Sequence, residues 1–282
     1  MDDRDVGRLW NENAEVWTRL ARSGYDVYRD RLNTPAFLAM LPDVDGLRGL
    51  DVGCGEGHNT RLIAKRGARL AAVDIAEAFI GHAREEEERA PLGIDYRVAS
   101  ALELPFADGS FDFVTAVMCL MDMPDVERAV AEAYRVLKPG GFFQFSIMHP
   151  CYDTPHRKNL RDAQRRTYAY EVGGYFETLE GKVEEWTFSA APEDVRKSVA
   201  KFKVPRFTRT LGRWLKSAVS RPSSRSTSGR RRRDRAAATS RPARSMDRGQ
   251  APTTSTWTAG SPTSCRFPSS RTTRAFPGTT SR

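Results

Sequence analysis

The sequence contains no stretch of the roughly 18 to 20 apolar residues that a membrane-spanning helix requires. Its first five residues, Met1 to Asp5, provide neither the basic nor the apolar segment of a secretion signal. Its four cysteines show no CxxC spacing and no cysteine–histidine spacing typical of zinc ligands, which argues against a disulfide framework and a metal site. We therefore expect a cytoplasmic protein with reduced thiols and no membrane partner.

Charge is unevenly distributed along the chain. Residues 217–282 contain 14 arginines and two aspartates but no lysine or glutamate, whereas residues 1–216 contain 31 basic and 34 acidic residues. The formal net charge of +9 therefore originates in the tail. Val219 is the only Val, Leu or Ile of the tail, so the tail cannot bury enough apolar surface to offset its ordering entropy. We expect a basic, disordered tail over 217–282; an out-of-frame reading of a GC-rich gene is a second interpretation.

The first part of the chain, residues 1–45, has the apolar spacing of helices. Apolar side chains recur at helical intervals from Leu9 to Ala21, and Asn33-Thr34-Pro35 is typical of a helix start with proline in the first turn. We interpret this segment as a helical lid. Core packing is the simplest role for its aromatic residues, which are Trp10, Trp17, Tyr25 and Tyr28.

Between residues 46 and 150, short apolar runs alternate with amphipathic stretches of helical length. This alternation is typical of a parallel sheet with crossover helices, and it predicts a doubly wound α/β fold. In the last helix we expect Pro124 in the first turn and Gly140-Gly141 after the end. The predicted strands are 47–52, 69–73, 94–98, 111–118 and 142–148, and the predicted helices are 58–65, 76–90 and 124–137.

Residues 151–216 are mixed in character and rich in aromatic side chains. Their final stretch, Phe207 to Lys216, is amphipathic and predicts a helix. We expect this region to form a cap on the substrate side of the fold.

A glycine-rich segment follows the first predicted strand. It reads Leu50-Asp51-Val52-Gly53-Cys54-Gly55-Glu56-Gly57 and leads into a predicted helix. Glycines let the backbone turn sharply and approach a ligand, and the helix start offers free N–H groups. The full dinucleotide fingerprint requires a glycine where His58 stands, which disfavours NAD as the ligand.

A carboxylate stands at the end of the second predicted strand. Asp74 lies 21 residues after Gly53, where a carboxylate can accept hydrogen bonds from both hydroxyls of a ribose. Ligands of open α/β sheets bind at the carboxyl ends of the strands, beside the point where the strand order reverses. We expect the glycine loop, Asp74 and the end of the fourth strand at Met118 to converge there.

With these features, the sequence resembles the class I S-adenosylmethionine-dependent methyltransferases, in particular a small-molecule, quinone-biosynthesis-like group. The resemblance covers about residues 46–150 and implies a Rossmann-like sheet that binds S-adenosyl-L-methionine. In that family two further strands normally complete the sheet after a helix such as Phe207 to Lys216; no strand pattern follows here, so we expect those two strands to be missing. Four blocks carry the resemblance in order: Leu50 to Gly57, Val73-Asp74-Ile75, Leu104-Pro105-Phe106 through Gly109-Ser110-Phe111-Asp112, and Arg135 to Gly141.

The resemblance also implies which residues hold the cofactor. Asp51 and the glycine loop would hold its methionine part, Asp74 its ribose, and Ile75 would pack on the adenine. Where the family often has an acidic residue for the adenine amino group, this chain has Ser100. The implied cofactor residues are Asp51, Gly53, Cys54, Gly55, Gly57, Asp74, Ile75, Ser100, Ala101 and Met118.

Methyl transfer needs a general base only when the acceptor arrives protonated with a high pKa. Two candidates stand near the expected pocket mouth: Asp122 after the fourth strand and His149 after the fifth. The structural alternatives are a charge at a helix N-terminus for Asp122 and a histidine bound to loop backbone for His149. Cys151 could act as a covalent nucleophile, but no base is evidently paired with it.

We expect an enzyme that transfers a methyl group from S-adenosylmethionine to a small organic acceptor, without a nucleic-acid partner. An RNA methyltransferase that uses the cluster Arg230 to Arg233 is an alternative, although Val117-Met118-Cys119-Leu120 replaces the Asn/Asp-Pro-Pro-Tyr signature of adenine methylation. An inactive truncated remnant is another alternative. The sequence specifies neither the acceptor nor the oligomeric state.

Overall fold

Five parallel strands form the central sheet of the protein. The computed structural model describes residues 1–219, with side chains up to residue 217, so the predictions for the rest of the tail lie outside the described residues. The strands are β1 (Arg48–Val52), β2 (Arg69–Asp74), β3 (Asp95–Val98), β4 (Phe111–Val117) and β5 (Leu137–Ser146). Their order in the sheet is β3-β2-β1-β4-β5. The predicted doubly wound α/β fold is confirmed.

Helices flank and connect these strands. No helix within residues 1–219 is long and apolar enough to cross a membrane. The helices are α1 (Asp3–Arg22), α2 (Thr34–Met40), α3 (His58–Ala64), α4 (Glu77–Arg89), α5 (Val126–Val136), α6 (Glu193–Ser198) and α7 (Leu211–Val219).

The strand order reverses at β1, which pairs with β2 on one side and with β4 on the other. The three strands are held in fixed register, with Val52 opposite Val73 and Asp51 opposite Thr115. Close packing supports this register, because a Cβ atom on Gly49 of β1 would lie 2.2 Å from the Phe113 ring of β4. The carboxyl ends of β1, β2 and β4 therefore meet at one edge of the sheet, as predicted.

The start of α5 differs from the prediction. Its N-cap is Asp125, whose side chain accepts a hydrogen bond from the Arg128 N–H at 3.0 Å. Pro124 therefore precedes the cap instead of occupying the first turn. An aspartate that satisfies a free N–H of the first turn is a stronger start signal than a proline, which satisfies none.

The end of α5 also differs from the prediction. β5 begins at Leu137, directly after the helix, because Leu137 already pairs with Phe111 of β4. Gly140 and Gly141 consequently lie inside β5, at a register shift of the β4–β5 pair, and not in a loop. A Cβ on Gly141 would lie 2.7 Å from the Asp112 carbonyl oxygen, so the irregularity brings two backbones close together.

The N-terminal helix α1 packs on the body of the protein through its aromatic side. The Trp17 ring lies 4.8 Å from the Phe188 ring and 4.7 Å from the Phe202 ring, measured between centroids. The predicted core packing is confirmed for Trp10, Trp17 and Tyr25. It is wrong for Tyr28, which is 67% exposed because it lies in the connection after α1 and not on its packed face.

The start of α2 follows a π-helical turn, Arg29–Asn33. Asn33 already has helical backbone angles and makes no capping hydrogen bond, because the turn runs directly into the helix. The predicted cap at Asn33 is therefore absent, whereas the predicted proline in the first turn is present.

Two small antiparallel sheets follow the central sheet: β6 (His156–Arg161) with β7 (Thr167–Gly173), and β8 (Glu180–Trp186) with β9 (Phe202–Phe207). Strand β9 lies against α1, where Asn13 and the Lys203 backbone exchange two hydrogen bonds of 2.9 Å. Phe207 ends β9, so the helix predicted from residue 207 begins only at Leu211.

Strand β5 is the edge of the central sheet within residues 1–219, where no sixth strand joins it. Its apolar side chains Phe142, Phe143 and Phe145 are only partly buried, unlike those of β1 and β4. The expectation that two completing strands are missing concerns the chain after residue 216, and its outcome beyond residue 219 lies outside the described residues.

Candidate functional site

The glycine loop, Gly53 to Gly57, leaves β1 with left-handed backbone conformations. The angle φ is +66° at Gly53, +54° at Gly55 and +85° at Gly57, values that other residues adopt only with strain. The N–H groups of Gly53 and Cys54 both donate to the Val73 carbonyl oxygen, at 2.8 and 3.0 Å. The loop therefore folds back against the carboxyl end of β2.

Gly53 and Gly55 differ in the space around their Cα atoms. A Cβ atom on Gly53 would lie 2.6 Å from both Cβ and Sγ of Cys119. A Cβ on Gly55 would meet no described atom within 4 Å. The fold therefore requires Gly53, whereas the backbone at Gly55 faces open space in which a ligand could lie.

Asp74, at the end of β2, connects the sheet to the glycine loop. Its Oδ2 accepts a hydrogen bond from the Gly55 N–H at 2.8 Å, and its Oδ1 accepts one from the Ala76 N–H at 2.9 Å. Burial raises the pKa of Asp74, and the backbone N–H groups oppose that rise. The structure thus places the carboxylate predicted to bind a ribose directly beside the predicted loop.

Ile75, the next residue, lies beneath the N-terminal helix. A Cβ on Gly7 of α1 would lie 3.0 Å from Cγ1 of Ile75, so the absence of a side chain at Gly7 allows this close approach. The residue predicted to pack on adenine is therefore covered by α1.

Asp51 lies below the glycine loop and is only 2% exposed. Its Oδ2 accepts a hydrogen bond from the Thr60 hydroxyl at 2.6 Å, and its Oδ1 accepts one from the Thr115 hydroxyl at 2.8 Å. Burial raises the pKa of Asp51 to about 6, although both hydroxyls oppose the rise. Asp51 thus ties β1 to α3 and β4 and supports the loop from beneath.

The remaining predicted cofactor residues lie around the same edge of the sheet. The Ser100 hydroxyl accepts a hydrogen bond from the Leu102 N–H at 2.9 Å, and Ala101 is buried beside it. Met118 has φ of +54°, which is unusual for a residue other than glycine, and its N–H donates to the Ser146 carbonyl oxygen at 2.9 Å. A strained backbone angle at the end of a central strand is often found at functional sites.

Three carboxylates converge near the Cys119 thiol, which donates a hydrogen bond to the Val52 carbonyl oxygen at 3.1 Å. Burial raises the pKa of Cys119 well above its usual range, and the negative charges of Asp51, Asp74 and Asp122 raise it further. Within the described residues no cluster of His, Cys, Asp or Glu is arranged to hold a metal ion.

Asp122 lies in a short 3₁₀ turn, Leu120–Asp122, directly after β4. Among residues 1–217 its carboxyl group is influenced by the charges of Asp153, Arg206 and Arg209 but by no hydrogen bond. Burial raises the pKa of Asp122 well above its usual range; Asp153 adds to the rise, while Arg209 and Arg206 oppose it. A carboxylate that binds protons unusually tightly and lacks a hydrogen-bond partner is suited to proton transfer.

His149 lies in an exposed turn after β5. Its Nδ1 accepts a hydrogen bond from the Cys151 N–H at 3.2 Å, and its ring centroid is 5.9 Å from that of Tyr152. When Nδ1 accepts this bond, the neutral imidazole carries its proton on Nε2, which leaves no free acceptor nitrogen. The geometry agrees with the structural alternative of a histidine bound to loop backbone.

Two arginines near Asp122 were not identified from the sequence. Arg206 of β9 donates to Asp153, to Glu184 and to the Thr154 carbonyl oxygen. Arg209 donates to the Met123 and Pro124 carbonyl oxygens, and burial lowers its pKa to about 10. Arg206 lies in β9 and Arg209 follows that strand, each more than 80 positions after Asp122, so no local spacing in the sequence could have indicated that they lie near it.

The fold and the site together define a Rossmann-like α/β protein with a nucleoside-type ligand site. Comparison with known proteins agrees. A family model described as a methyltransferase domain matches residues 50–145. An S-adenosylmethionine-dependent methyltransferase of Mesorhizobium loti has a solved structure that is 30% identical, with a TM-score of 0.51, covering 66% of this chain and 78% of that one. The chain belongs to the S-adenosylmethionine-dependent methyltransferases.

Curated relatives match over shorter stretches. A demethylmenaquinone methyltransferase of Tropheryma whipplei is 38% identical over 137 residues, which is 49% of this chain and 56% of that protein. An O-methyltransferase of Penicillium expansum is 31% identical over 171 residues, which is 54% of this chain and 62% of that protein. The chain thus spans between about half and three fifths of the length of these relatives.

The site fits the cofactor of this family. The ribose of S-adenosylmethionine offers two hydroxyl donors, and the site places the Asp74 carboxylate beside the glycine loop. Gly55 leaves space beside the Asp74 carboxylate, as a nucleoside needs. No resident metal is required for such a ligand.

Proposed function

We propose that this protein transfers a methyl group from S-adenosylmethionine to a small organic acceptor by in-line displacement. The observation that carries the proposal is the joint placement of the left-handed glycine loop and Asp74 at the strand-order reversal, with the Asp74 carboxylate bound to the Gly55 N–H. The ribose of a nucleoside ligand would compete with the Gly55 N–H for that carboxylate. The ligand would lie on the side of Gly55 that faces open space.

Individual cofactor contacts follow from these positions. In the proposal, Asp74 accepts hydrogen bonds from the ribose hydroxyls, Ile75 packs on the adenine, and Ser100 and Ala101 border the adenine edge. The glycine loop and Met118 border the methionine part. Asp51 acts from below, because its two oxygens already hold Thr60 and Thr115.

When bound, S-adenosylmethionine supplies an electrophilic methyl group on a positively charged sulfur. The residues of the chain then fix the line of attack and exclude water. The new bond joins the acceptor atom to the methyl carbon, the carbon–sulfur bond breaks, and its electron pair stays on sulfur. Where the acceptor is a hydroxyl, its proton passes to the carboxylate of Asp122.

Asp122 is the better supported of the two candidate bases. Its carboxylate has no hydrogen-bond donor among the described residues, whereas Nδ1 of His149 already accepts a backbone N–H. With a hydroxyl acceptor found by screening, we expect Asp122→Asn to lower kcat by about 10²- to 10⁴-fold, the usual contribution of a general base. His149→Asn serves as the matched comparison and should change kcat little; the reverse pattern would assign the base to His149.

The acceptor site in this proposal lies between the helical lid, residues 1–45, and the cap, residues 151–216. The buried arginines Arg206 and Arg209 place parts of the cap beside Asp122. The relatives named above, which are a demethylmenaquinone methyltransferase and an O-methyltransferase, support a small-molecule acceptor.

A thermal melt of the purified full chain tests cofactor binding. Excess S-adenosylhomocysteine at about 100 times its Kd should stabilise the native state by about 2.7 kcal/mol, which raises the Tm by several degrees. NADH at the same concentration should leave the Tm unchanged. Stabilisation by NADH alone would contradict the proposal, and the lack of any cooperative melt would identify the chain as an inactive remnant.

A further inference from the structure

Glu56 is the one residue of the glycine loop with a long charged side chain, and that side chain is buried. Only 9% of it is exposed. Its Oε2 accepts a hydrogen bond from Arg22 Nε at 3.0 Å, and its Oε1 accepts one from Arg29 Nη1 at 3.1 Å. Both carboxylate oxygens are thus bound to guanidinium groups from outside the loop.

The two arginines belong to the N-terminal region. Arg22 is the last residue of α1, and its Nη2 also donates to the His82 carbonyl oxygen of α4 at 3.1 Å. Arg29 begins the π-helical turn, and its Nη2 donates to the Ala21 carbonyl oxygen at 3.2 Å. We call Arg22, Arg29 and Glu56 the latch, because together they join the end of α1 to the glycine loop.

The other end of α1 lies over the second cofactor element. Gly7 contacts Ile75, and Asn11 Oδ1 accepts a hydrogen bond from the Ala78 N–H at 2.8 Å. Helix α1 is therefore attached at one end to the residues after Asp74 and at the other to the glycine loop. The contact with the glycine loop is the more buried of the two, because it runs through Glu56.

We propose that Glu56 is a positioning residue that couples closure of the N-terminal helix over the cofactor site to the conformation of the glycine loop, through its ion pairs with Arg22 and Arg29. The proposal rests on the function proposed above. It predicts that the latch determines cofactor affinity although none of its three side chains needs to contact the cofactor.

The charge and burial of the latch explain why the loss of one member should shift the position of the helix end. Arg29 is 15% exposed and Glu56 is 9% exposed, so water can replace the lost partner only if the helix end moves away. Loss of Arg29 leaves Glu56 paired with Arg22 alone. Loss of Glu56 leaves Arg29 paired with Asp30, a neighbour in the same turn, so the helix end is no longer held to the loop. A variant that lacks one member therefore favours an arrangement in which the end of α1 lies away from the glycine loop. Part of the ligand's binding free energy must then be used to bring the helix end back.

The test measures the Kd of S-adenosylhomocysteine by calorimetry for the full chain and four variants. Glu56→Gln and Arg29→Met should each raise the Kd by about 5- to 150-fold, the common range of coupling between sites. The double variant should bind about as weakly as Glu56→Gln alone, because the loss of Glu56 already removes the contact that Arg29 makes with the loop. Arg8→Met is the control, because within the described residues Arg8 forms only exposed ion pairs, with Asp5 and Glu12 of the same helix.

Hydrogen–deuterium exchange separates positioning from a general loss of stability. In the parent chain the ligand should slow exchange in residues 3–22, and Glu56→Gln should lose most of that protection while the central sheet stays protected. If Glu56→Gln does not fold, Arg22→Met provides the same test, because Arg22 is 38% exposed.

Three results would decide against parts of the proposal. Variants that fold and bind within twofold of the parent would overturn the latch. Additive effects in the double variant would show that the two residues act independently. A parent chain that melts cooperatively but does not bind S-adenosylhomocysteine would overturn the proposed function itself.

Discussion

Replacing Asp74 by alanine is expected to weaken binding of S-adenosylhomocysteine by about 1 to 3 kcal/mol, the usual scale for hydrogen bonds to a charged group. In dissociation constants this is about 5- to 150-fold, since 1.4 kcal/mol corresponds to a factor of ten. The physical reason is the loss of both ribose acceptors at once. Calorimetric titration of the purified variant gives the number directly.

Asp74→Ala removes a ligand contact and also a support of the glycine loop, so control variants must separate the two effects. Asp74 also holds the N–H groups of Gly55 and Ala76, so its removal loosens the glycine loop. Asp74→Asn retains one acceptor oxygen and should fall between the parent and the alanine variant. Asp95→Ala is the matched control, because Asp95 lies on the neighbouring strand and its carboxylate binds only the exposed Arg97. Unchanged affinity in the alanine variant would place the ribose elsewhere.

Gly53→Ala is expected to lower the free energy of unfolding by about 2 to 6 kcal/mol. A left-handed alanine costs about 1 to 3 kcal/mol, and forcing a methyl group into a packed space costs about as much again. The methyl group would lie 2.6 Å from Cβ and Sγ of Cys119, and those atoms belong to a turn fixed by β4. Denaturant unfolding monitored by circular dichroism measures the loss.

Gly55→Ala measures the cost of the left-handed backbone without the steric clash with Cys119. Gly55 has a similar φ of +54°, but its added methyl group would meet nothing within 4 Å. We expect a loss of only about 1 to 2 kcal/mol in this variant. The double variant Gly53→Ala with Cys119→Gly should recover part of the stability lost at Gly53. Equal losses for the two single alanine variants would show that the close approach to Cys119 is not decisive.

The central sheet and the cofactor edge could be predicted because their signals are local. A buried parallel strand appears as a short apolar run, and the glycine loop and Asp74 lie directly after two such runs. Parallel order then places both on one edge without further information. The prediction extended to the residues at that edge, but not to how Asp51 is used. Its bond to Thr115 depends on the pairing of β1 with β4, and its bond to Thr60 depends on how α3 packs.

The contacts that could not be predicted join distant parts of the chain. Glu56 and Arg22 are 34 residues apart, and no spacing rule connects a loop glutamate with a helix-ending arginine. The boundaries around α5 failed for a related reason. Local rules favour proline at a helix start and glycine after its end, but the pairing of Leu137 with Phe111 extended the strand to the helix itself.

The packing of α1 affects the fluorescence of its two tryptophans, Trp10 and Trp17. Trp10 lies 6.3 Å from the Phe79 ring of α4, and Trp17 lies 5.5 Å from the Trp186 ring of the cap, measured between centroids. Indole emission changes with the polarity of its surroundings, and these two indoles sit on the helix that covers the cofactor edge. The N-terminal helix therefore carries a natural fluorescent reporter, so its docking can be followed in solution without attaching a dye.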